Sequence, residues 1–315
     1  MRHAARSWAW SSRMTTCPYY SMRPVRSRTA GRRGVSLIEL LVAIAILGIL
    51  IGLTSAAVQR VRAAAAKTQC ANNLRQIGLA LHQYHDNHKS LPPGISSHDE
   101  KDPMPFVGWS ARLLPYLEQQ AIWDQAVIGY QQTKDFQLPP HPGGNLLAVL
   151  NCPLDGRRTH PGRGMALTSY LGVEGLNPVL QDGTLFLDSS IRFAEVTDGT
   201  SSTLLVGERP PSASLLYGWW YAGWGQGKDG CLDLTLGVRT KNHSIYDTAC
   251  PLGPFPFSPQ RFDDPCHHFQ FWSPHTGGAH FLFCDGSVRF LRYEADPLLP
   301  ALASRAGGEA VSLPE

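Results

Sequence analysis

The chain lacks the short motifs by which catalytic sites are usually recognised in a sequence. It contains no Gly-x-Ser-x-Gly nucleophile elbow, no His-Glu-x-x-His pair, no phosphate-binding glycine loop and no Cys-x-x-Cys pair. Missing motifs do not exclude catalysis, but no pattern of residues indicates it. We therefore expect a protein that is not an enzyme.

Acidic residues are absent from residues 1–34, a segment that holds eight arginines. The rest of the chain has 20 basic and 25 acidic residues, so its net charge is about −5, whereas the whole chain has +3. The basic character comes from the N-terminal segment, so a nucleic-acid partner is not expected. By the positive-inside rule, the arginines predict a cytoplasmic N-terminus and an exported C-terminal part.

Charged residues are also absent between Glu39 and Arg60. These twenty residues, at about 1.5 Å each, reach the ~30 Å of a hydrocarbon core and predict a membrane-spanning helix over residues 35–59. A carboxylate at mid-depth in such a helix costs at least ~2.5 kcal/mol and normally has a partner. Cleavage between Gly34 and Val35 would create one, the new α-amino group of the same or a neighbouring chain. The alternative is a plain membrane anchor with an unpaired acid.

The run from Gly34 to Glu39 resembles the processing site of type IV pilins and type II secretion pseudopilins, although Val35 stands where phenylalanine is usual. In those families a prepilin peptidase cuts after the glycine and methylates the new N-terminus. The acid at the fifth mature position then pairs with a neighbour's N-terminus during filament assembly. The resemblance implies that residues 1–34 are a cleaved leader, that Gly34 and Val35 form the processing site and that Glu39 is the assembly residue. The start codon stays open among Met1, Met14 and Met22.

A helical repeat continues beyond the apolar segment. Apolar and aromatic residues recur at steps of three and four, and four consecutive alanines, 63–66, favour helix. We expect one helix to continue over residues 60–90 as a spine and to end near His88, before Pro92 and Pro93. Two helices with a break near Thr54 are the alternative. The expected stripe is Val61, Ala65, Thr68, Leu74, Ile77, Leu81, Tyr84 and His88.

Residues 91–315 are expected to form an exported α+β head built on antiparallel β-sheet. Short extended runs are separated there by glycine and proline, with helix expected near residues 111–125 and a long insertion at about 226–266. Asp285 and Gly286 predict a two-residue hairpin loop that pairs Phe283 with Val288. Strands are predicted over residues 169–173, 184–187, 203–208, 218–224 and 280–292.

His275, followed after nine residues by Asp285 and Gly286, resembles the C-terminal H-x9-DG signature of DUF1559, a large pilin-like family of uncharacterised proteins. The family implies an envelope protein without an established molecular role. We interpret His275 as structural, closing its turn against the Asp285 loop. The resemblance extends to residues 70–85, 91–94, 109–110, 114–119, 152–155, 169–172, 198–203, 207–209 and 301–309.

Two sets of residues in the sequence could bind a metal ion, one set zinc and the other calcium. We assign no metal ligand and no cofactor from either set. Potential zinc ligands are dense near the C-terminus, and some pseudopilins, which this architecture resembles, bind calcium through loop carboxylates and carbonyls. The simpler interpretation is ordinary turns and a disulfide. The zinc candidates are Cys266, His267, His268, His275, His280, Cys284 and Asp285, and the calcium candidates are Asp155, Asp198 and Glu208.

The exported compartment permits disulfides, and we expect one or two among Cys231, Cys250, Cys266 and Cys284. The sequence does not choose between their pairings.

An aromatic cluster at residues 219–224 contains Trp219, Trp220, Tyr221 and Trp224. It predicts either a strand that fills the core or a surface that stacks on a ligand.

Together these features predict a structural, pilin-like envelope protein in a type IV pilus-like or type II secretion-like assembly. Its expected partners are prepilin peptidase, other pilin-like subunits or copies of itself, and the membrane. It would be a single-pass protein of the cytoplasmic membrane, with its head exported. A membrane-anchored binding module and a tethered metal-dependent hydrolase are the alternatives.

Overall fold

A computed structural model describes residues 36–99, 102–245, 247–309 and 311. The chain divides into two compact units, Met1–Thr54 and Ser55–Glu315. Helix α1, Leu37–His88, is a single helix of 52 residues. It ends as expected at His88, where Lys89 adopts a left-handed φ of 64° and two prolines follow. The expected long N-terminal helix is therefore confirmed.

In the first unit, every described side chain is exposed, including a continuous series of leucine, isoleucine and valine residues. Among the described residues, α1 is the one helix long and apolar enough to cross a membrane. A helix that is apolar all round needs either a protein core or lipid as its surroundings.

In the second unit, one face of α1 is buried. Leu74, Ile77, Leu81 and Tyr84 lie on it at steps of three and four, as the sequence predicts. Further toward the N-terminus, the buried positions are Ala66 and Cys70 rather than the expected ones, because four successive alanines do not fix the phase of the repeat. The expected residues that are exposed instead are Val61, Ala65, Thr68 and His88.

A five-stranded sheet forms the centre of the head, with strand order β3-β1-β2-β4-β5. Three of its neighbouring pairs are antiparallel, as expected, whereas β1 and β3 are parallel. Strand β3 comes from the segment expected to be an insertion, so this segment supplies one edge of the sheet. The strands are β1 Tyr170–Val173, β2 Leu204–Glu208, β3 Thr235–Leu236, β4 Gly278–Phe283 and β5 Val288–Arg292.

Two predicted strands, residues 184–187 and 218–224, are wrong, because their residues form isolated bridges only. Thr184 and Leu185 both donate their backbone N–H groups to the carbonyl of Val173, which turns the chain there. Gly218 has a φ of 102°, outside the extended region.

The helical segment expected near 111–125 is divided in three. Its parts are α2 Trp109–Arg112, the 3-10 turn Leu114–Leu117 and α3 Gln120–Gln132, and a later helix, α4, is Leu299–Ala303.

The β4–β5 hairpin differs from its prediction by one residue. Leu282 rather than Phe283 lies opposite Val288. The backbone N–H of Phe283 donates to the carbonyl of Ser287 at 2.9 Å, so the loop has three residues, and Gly286 adopts a φ of 83°. Three-residue loops with glycine in the left-handed position are a common hairpin connection.

Both faces of the sheet are buried. Helix α1 packs on one face, where Leu282 comes so close that a Cβ on Gly78 would lie 2.8 Å from its Cδ1. The other face is covered by aromatic residues of the 255–271 region and by α4. This explains why β4 is buried along its whole length, with no alternation of exposed residues.

Glu174, directly after β1, is a buried carboxyl group. Its Oε2 accepts a hydrogen bond from Thr235 Oγ1 at 3.0 Å, while its Oε1 has no hydrogen-bond partner among the described residues. Burial, together with repulsion from Asp229, raises the pKa of Glu174 to about 8. The carboxyl group is therefore protonated in the folded protein at neutral pH.

Replacing Leu81 by alanine should destabilise the head by about 2–5 kcal/mol, because it removes buried methyl groups between α1 and the sheet. Leu79→Ala is the matched control: Leu79 is 62% exposed on the same helix. The measurement is denaturant unfolding of the full chain in detergent. Equal effects of the two changes would contradict the assignment of the buried face.

Glu174→Gln should change how stability depends on pH. Between the unfolded pKa of about 4.5 and the folded pKa of about 8, only the folded protein holds the proton, so its stability falls as pH rises by up to about 1.4 kcal/mol per unit. The stability of the glutamine variant relative to wild type should therefore increase as pH rises through this window. Above the folded pKa the difference should stay constant. Unfolding measured from pH 5 to 9, with the exposed Glu294→Gln as control, checks this. A difference that is constant with pH would contradict it.

Candidate functional site

The predicted processing site lies largely outside the described residues, which exclude Gly34 and Val35. The described part begins at Ser36, which precedes the first turn of α1. The backbone N–H of Ser36 donates to Oε2 of Glu39 at 2.9 Å. This is half of a capping box, whose sequence signature, Ser-x-x-Glu, the chain carries at residues 36–39.

Glu39 consequently has a local role that sequence reasoning missed. Its carboxylate lies in the first turn of α1, is exposed, and faces the positive end of the helix dipole. One carboxylate oxygen accepts the Ser36 N–H, and the other accepts no hydrogen bond from the described residues, so a second cation or N–H group could bind it. Capping and pairing with a neighbouring N-terminus are therefore compatible for this side chain.

A second candidate site is a buried cluster in the head, built from five side chains of separate segments. Cys70 lies on α1, Cys152 follows a short 3-10 turn, and Glu208 ends β2. His275 lies in the loop before β4, and His280 lies within β4. Each of the five is at most 5% exposed. Such a set of ionisable groups inside a core requires mutual pairing or a bound ion.

The donor atoms of the cluster are close together. Those of Cys70, Cys152 and His275 lie within 4.8 Å of one another, and so do those of Glu208, His275 and His280. Nε2 of His275 lies 3.7 Å from Sγ of Cys152 and 3.5 Å from Oε1 of Glu208. Oε2 of Glu208 accepts the backbone N–H of His280 at 2.6 Å and lies 3.2 Å from its Nδ1.

The pKa values of the cluster follow from which side chains are adjacent. Burial raises the pKa of Glu208, but the attraction of His275 and His280 outweighs it and holds the pKa at about 2. Burial lowers the pKa of His275, whereas Cys152 and Glu208 raise it to about 9. The Cys70 thiol lowers the pKa of Cys152 to about 6, and the same contact, with burial, raises the pKa of Cys70. These shifts favour a charged His275 beside a charged Glu208 and draw the Cys152 thiol toward ionisation.

Neighbouring side chains fix the helix at the cluster. Asn73, one turn after Cys70, donates to the carbonyl of Asn151 at 3.1 Å and to the Tyr170 hydroxyl at 3.2 Å. On the preceding turn, the Lys67 ammonium lies 3.1 Å from the ring centroid of Phe290. These contacts tie α1 to β1, β5 and the Cys152 segment, so that Cys70 points at its partners.

His275 is not where the sequence analysis expects it. Its side chain contacts Cys152 and Glu208 rather than the Asp285 loop. That loop is held by its own bonds: the backbone N–H of Asp285 donates to Thr200, and its Oδ1 accepts the N–H of Ser287 at 2.8 Å. The cause is the pairing of Glu208 on β2 with β4, which gives His275 a buried carboxylate partner.

The zinc candidates of the sequence are not brought together as one set. Of these, His275 and His280 alone take part in a metal-capable cluster of the described residues. Cys266 is disulfide-bonded to Cys250, and Trp272 donates to His267 at 3.2 Å. Of the four cysteines expected to form bridges, Cys231 and Cys284 are buried free thiols.

The calcium candidates have separate partners. Asp155 forms an ion pair with Arg157 at 2.8 Å. Asp198 accepts the backbone N–H groups of Gly307 and Gly308, and Glu208 belongs to the buried cluster. Asp155 and Asp198 thus act as ordinary turn and loop anchors.

The aromatic cluster mostly fills the core. Trp219, Trp220 and Tyr221 are at most 2% exposed, while Trp224 is 39% exposed. Tyr221 lies 2.8 Å from the ring nitrogen Nδ1 of His141, and Ser110 donates to the carbonyl of Trp220. Three of the four rings are therefore inaccessible to a stacking ligand.

Sequence reasoning missed Cys70, Cys152 and Glu208 as one site because the partners are far apart in the chain. Cys152 and His275 are separated by 123 positions, and Glu208 and His280 by 72. A usable signal exists nevertheless: Cys70, Cys152, Glu208 and His275 each belong to a different stretch by which the chain resembles the DUF1559 family. Cysteine, histidine and carboxylate side chains in separate family motifs are therefore candidates for meeting at one site in the folded protein.

Comparison with known proteins gives two family matches. A family described as "Protein of unknown function (DUF1559)" matches residues 59–298, and a motif described as "Prokaryotic N-terminal methylation motif" matches residues 29–55. No curated protein and no solved structure matches the chain.

Glu208→Gln should destabilise the head by about 3–5 kcal/mol, because it leaves the two histidines without their buried counter-charge. Glu195→Gln is the control, since Glu195 forms an exposed pair with Arg192 and its loss should have little effect. Thermal unfolding of the full chain in detergent measures both. A midpoint shift for Glu208→Gln no larger than that of the control would contradict the pairing.

Proposed function

The chain belongs to the DUF1559 family and is pilin-like at its N-terminus, and we propose that it is a structural subunit or accessory component of a type IV pilus-like or type II secretion-like assembly. The observation that carries this proposal is the methylation motif placed directly on the exposed apolar part of α1. In the proposed process, prepilin peptidase cuts after Gly34 and methylates Val35. The arginine-rich segment stays cytoplasmic, and the head is exported.

The proposed assembly step uses the charge of Glu39. A carboxylate at the start of a helix in lipid is tolerated if a cation neutralises it. Cleavage supplies that cation, since the mature chain would begin with an α-amino group four residues before Glu39. Pairing with the N-terminus of an adjacent subunit would bring the apolar faces of two α1 helices into register.

The competing functions receive less support from the described residues. A binding module using the aromatic cluster would need accessible rings, and three of the four are buried. A metal-dependent hydrolase would need a metal ion with an open position beside a substrate cleft. Each member of the buried cluster is at most 5% exposed, so a substrate has little access to it.

Replacement of Glu39 tests the assembly role against the capping role. Glutamine keeps an oxygen that can cap Ser36, whereas alanine does not, and neither keeps the charge. We expect Glu39→Gln and Glu39→Ala both to reduce crosslinked multimers in membranes at least about tenfold, because even about 1.4 kcal/mol of lost pairing changes an association constant by that factor. The wild-type chain should give a ladder of multimers.

Two outcomes would overturn the proposal. A wild-type ladder from both variants would mean that Glu39 has no role in assembly. A wild-type ladder from Glu39→Gln with loss in Glu39→Ala would mean that the cap, and not the charge, is needed. Glu294→Gln, in the exposed part of the head, is the control for removal of one carboxylate and should leave the ladder unchanged. Membrane levels of every variant are measured in parallel.

A further inference from the structure

We propose that Cys70, Cys152, His275 and Glu208 bind a single zinc-class cation, a divalent ion that accepts both sulfur and nitrogen ligands. The site lies wholly within the head and is independent of the proposed filament role. Two thiolates, one imidazole and one carboxylate are all ligands that zinc takes in proteins.

The two distances from His275 to other donors of the site match the ligand spacing of a tetrahedral ion. With metal–sulfur bonds of about 2.3 Å and metal–nitrogen or metal–oxygen bonds of about 2.0 Å, tetrahedral ligands lie about 3.3–3.8 Å apart. Nε2 of His275 lies 3.7 Å from Sγ of Cys152 and 3.5 Å from Oε1 of Glu208. The donors of Cys70, Cys152 and His275 lie within 4.8 Å of one another, and those of Glu208, His275 and His280 form a second such group. His275 belongs to both groups, so binding of one ion would draw the Glu208 carboxylate toward the two thiols.

Glu208 provides an independent observation that points to a ligand. Its Oε1 is buried and has no hydrogen-bond partner among the described residues. The closest nitrogen, Nε2 of His275, is at ion-pair distance but not in hydrogen-bond geometry. An ion pair without a hydrogen bond leaves this buried oxygen incompletely satisfied, and metal coordination would satisfy it. His280 meanwhile holds the other oxygen, Oε2, as a supporting group of the kind that orients metal ligands.

The charge balance of metal binding is favourable. Before binding, the four side chains hold two ionisable protons and a net charge of −1, whether the protons are on both thiols or on Cys70 and His275. Binding releases both protons to water and leaves two thiolates, a neutral imidazole and a carboxylate around a 2+ ion. The net charge therefore stays at −1, and no additional charge is buried.

A surface cleft lies beside the cluster and borders it at His275. This cleft, of about 230 Å³, is lined by His275, Leu154 and Lys67, among others. Lys67 is close enough to Glu208 for an attractive charge interaction, which offsets the remaining negative charge. The cleft would give an ion an approach to the cluster at His275.

The bound ion would join α1 to the sheet, since its ligands come from the helix, from β2 and from two loops. The competing chemistry is a disulfide between Cys70 and Cys152, which an exported compartment permits. Such a bond would use both thiols and leave Glu208 Oε1 without a ligand. Both cysteines are free thiols in this structure.

The test uses the full chain purified in detergent under reducing conditions, with zinc and cobalt as probes. We expect about one zinc per chain by elemental analysis, and after exchange a cobalt spectrum with a thiolate-to-metal charge-transfer band. Cys70→Ser, Cys152→Ser and His275→Gln should each lower metal content at least about tenfold, because even the loss of a group that only orients a ligand weakens metal affinity by about 10–100-fold. Cys284→Ser is the matched control, because Cys284 is an equally buried free thiol outside the cluster.

Several results would overturn the proposal. These are substoichiometric metal in the wild type after reconstitution, equal cobalt loss in Cys284→Ser, or a Cys70–Cys152 disulfide found by peptide mass analysis of protein taken directly from cells. Where a variant fails to fold, the wild type itself remains decisive: chelation should lower its melting temperature and zinc should restore it, since a ligand that binds only the folded state stabilises it. No shift in either direction would refute the site.

Discussion

One constraint governs this chain: a single helix has to satisfy two different surroundings. In the first unit of the chain, the described part of α1 is apolar on every side and exposed, and Glu39 is the one charged side chain of the helix before Arg60. Over its second unit the helix buries only the face that begins at Ala66 and Cys70. The position of Glu39 at the helix start, where it caps Ser36, makes the charge tolerable, and a capped carboxylate still has an oxygen available for a partner.

In the head, the contact between α1 and the sheet depends on polar groups as much as on apolar packing. Asn73 bonds Tyr170 and the Asn151 carbonyl, and Cys70 meets Cys152 beside the Glu208–histidine pairs. A core of leucines would tolerate sliding of the helix, whereas these directional contacts define one register. The ionisable cluster therefore has a structural role whether or not an ion occupies it, and an ion would strengthen the same contact.

The sequence predicts the long helix, its end before Pro92, the α+β head and the strands around Leu204 and Phe281, because hydrophobic period and proline are local signals. It does not predict the hairpin register, since a three-residue loop and a two-residue loop share the same Asp-Gly pair and differ only in tertiary context. Residues 218–224 carry the composition of a strand, but they fill the core as a bent segment. The cluster around Glu208 escapes local reasoning because each donor comes from a different segment.

The central claim is that the apolar end of α1 is the start of the mature protein. The most direct measurement is mass analysis of the N-terminal peptide of the protein recovered from membranes of cells that contain prepilin peptidase. The account predicts a peptide that begins at Val35 and carries one added methyl group on its α-amine. A peptide that retains Arg32 and Arg33, with no methyl group, would contradict it and leave the chain as a plain membrane anchor.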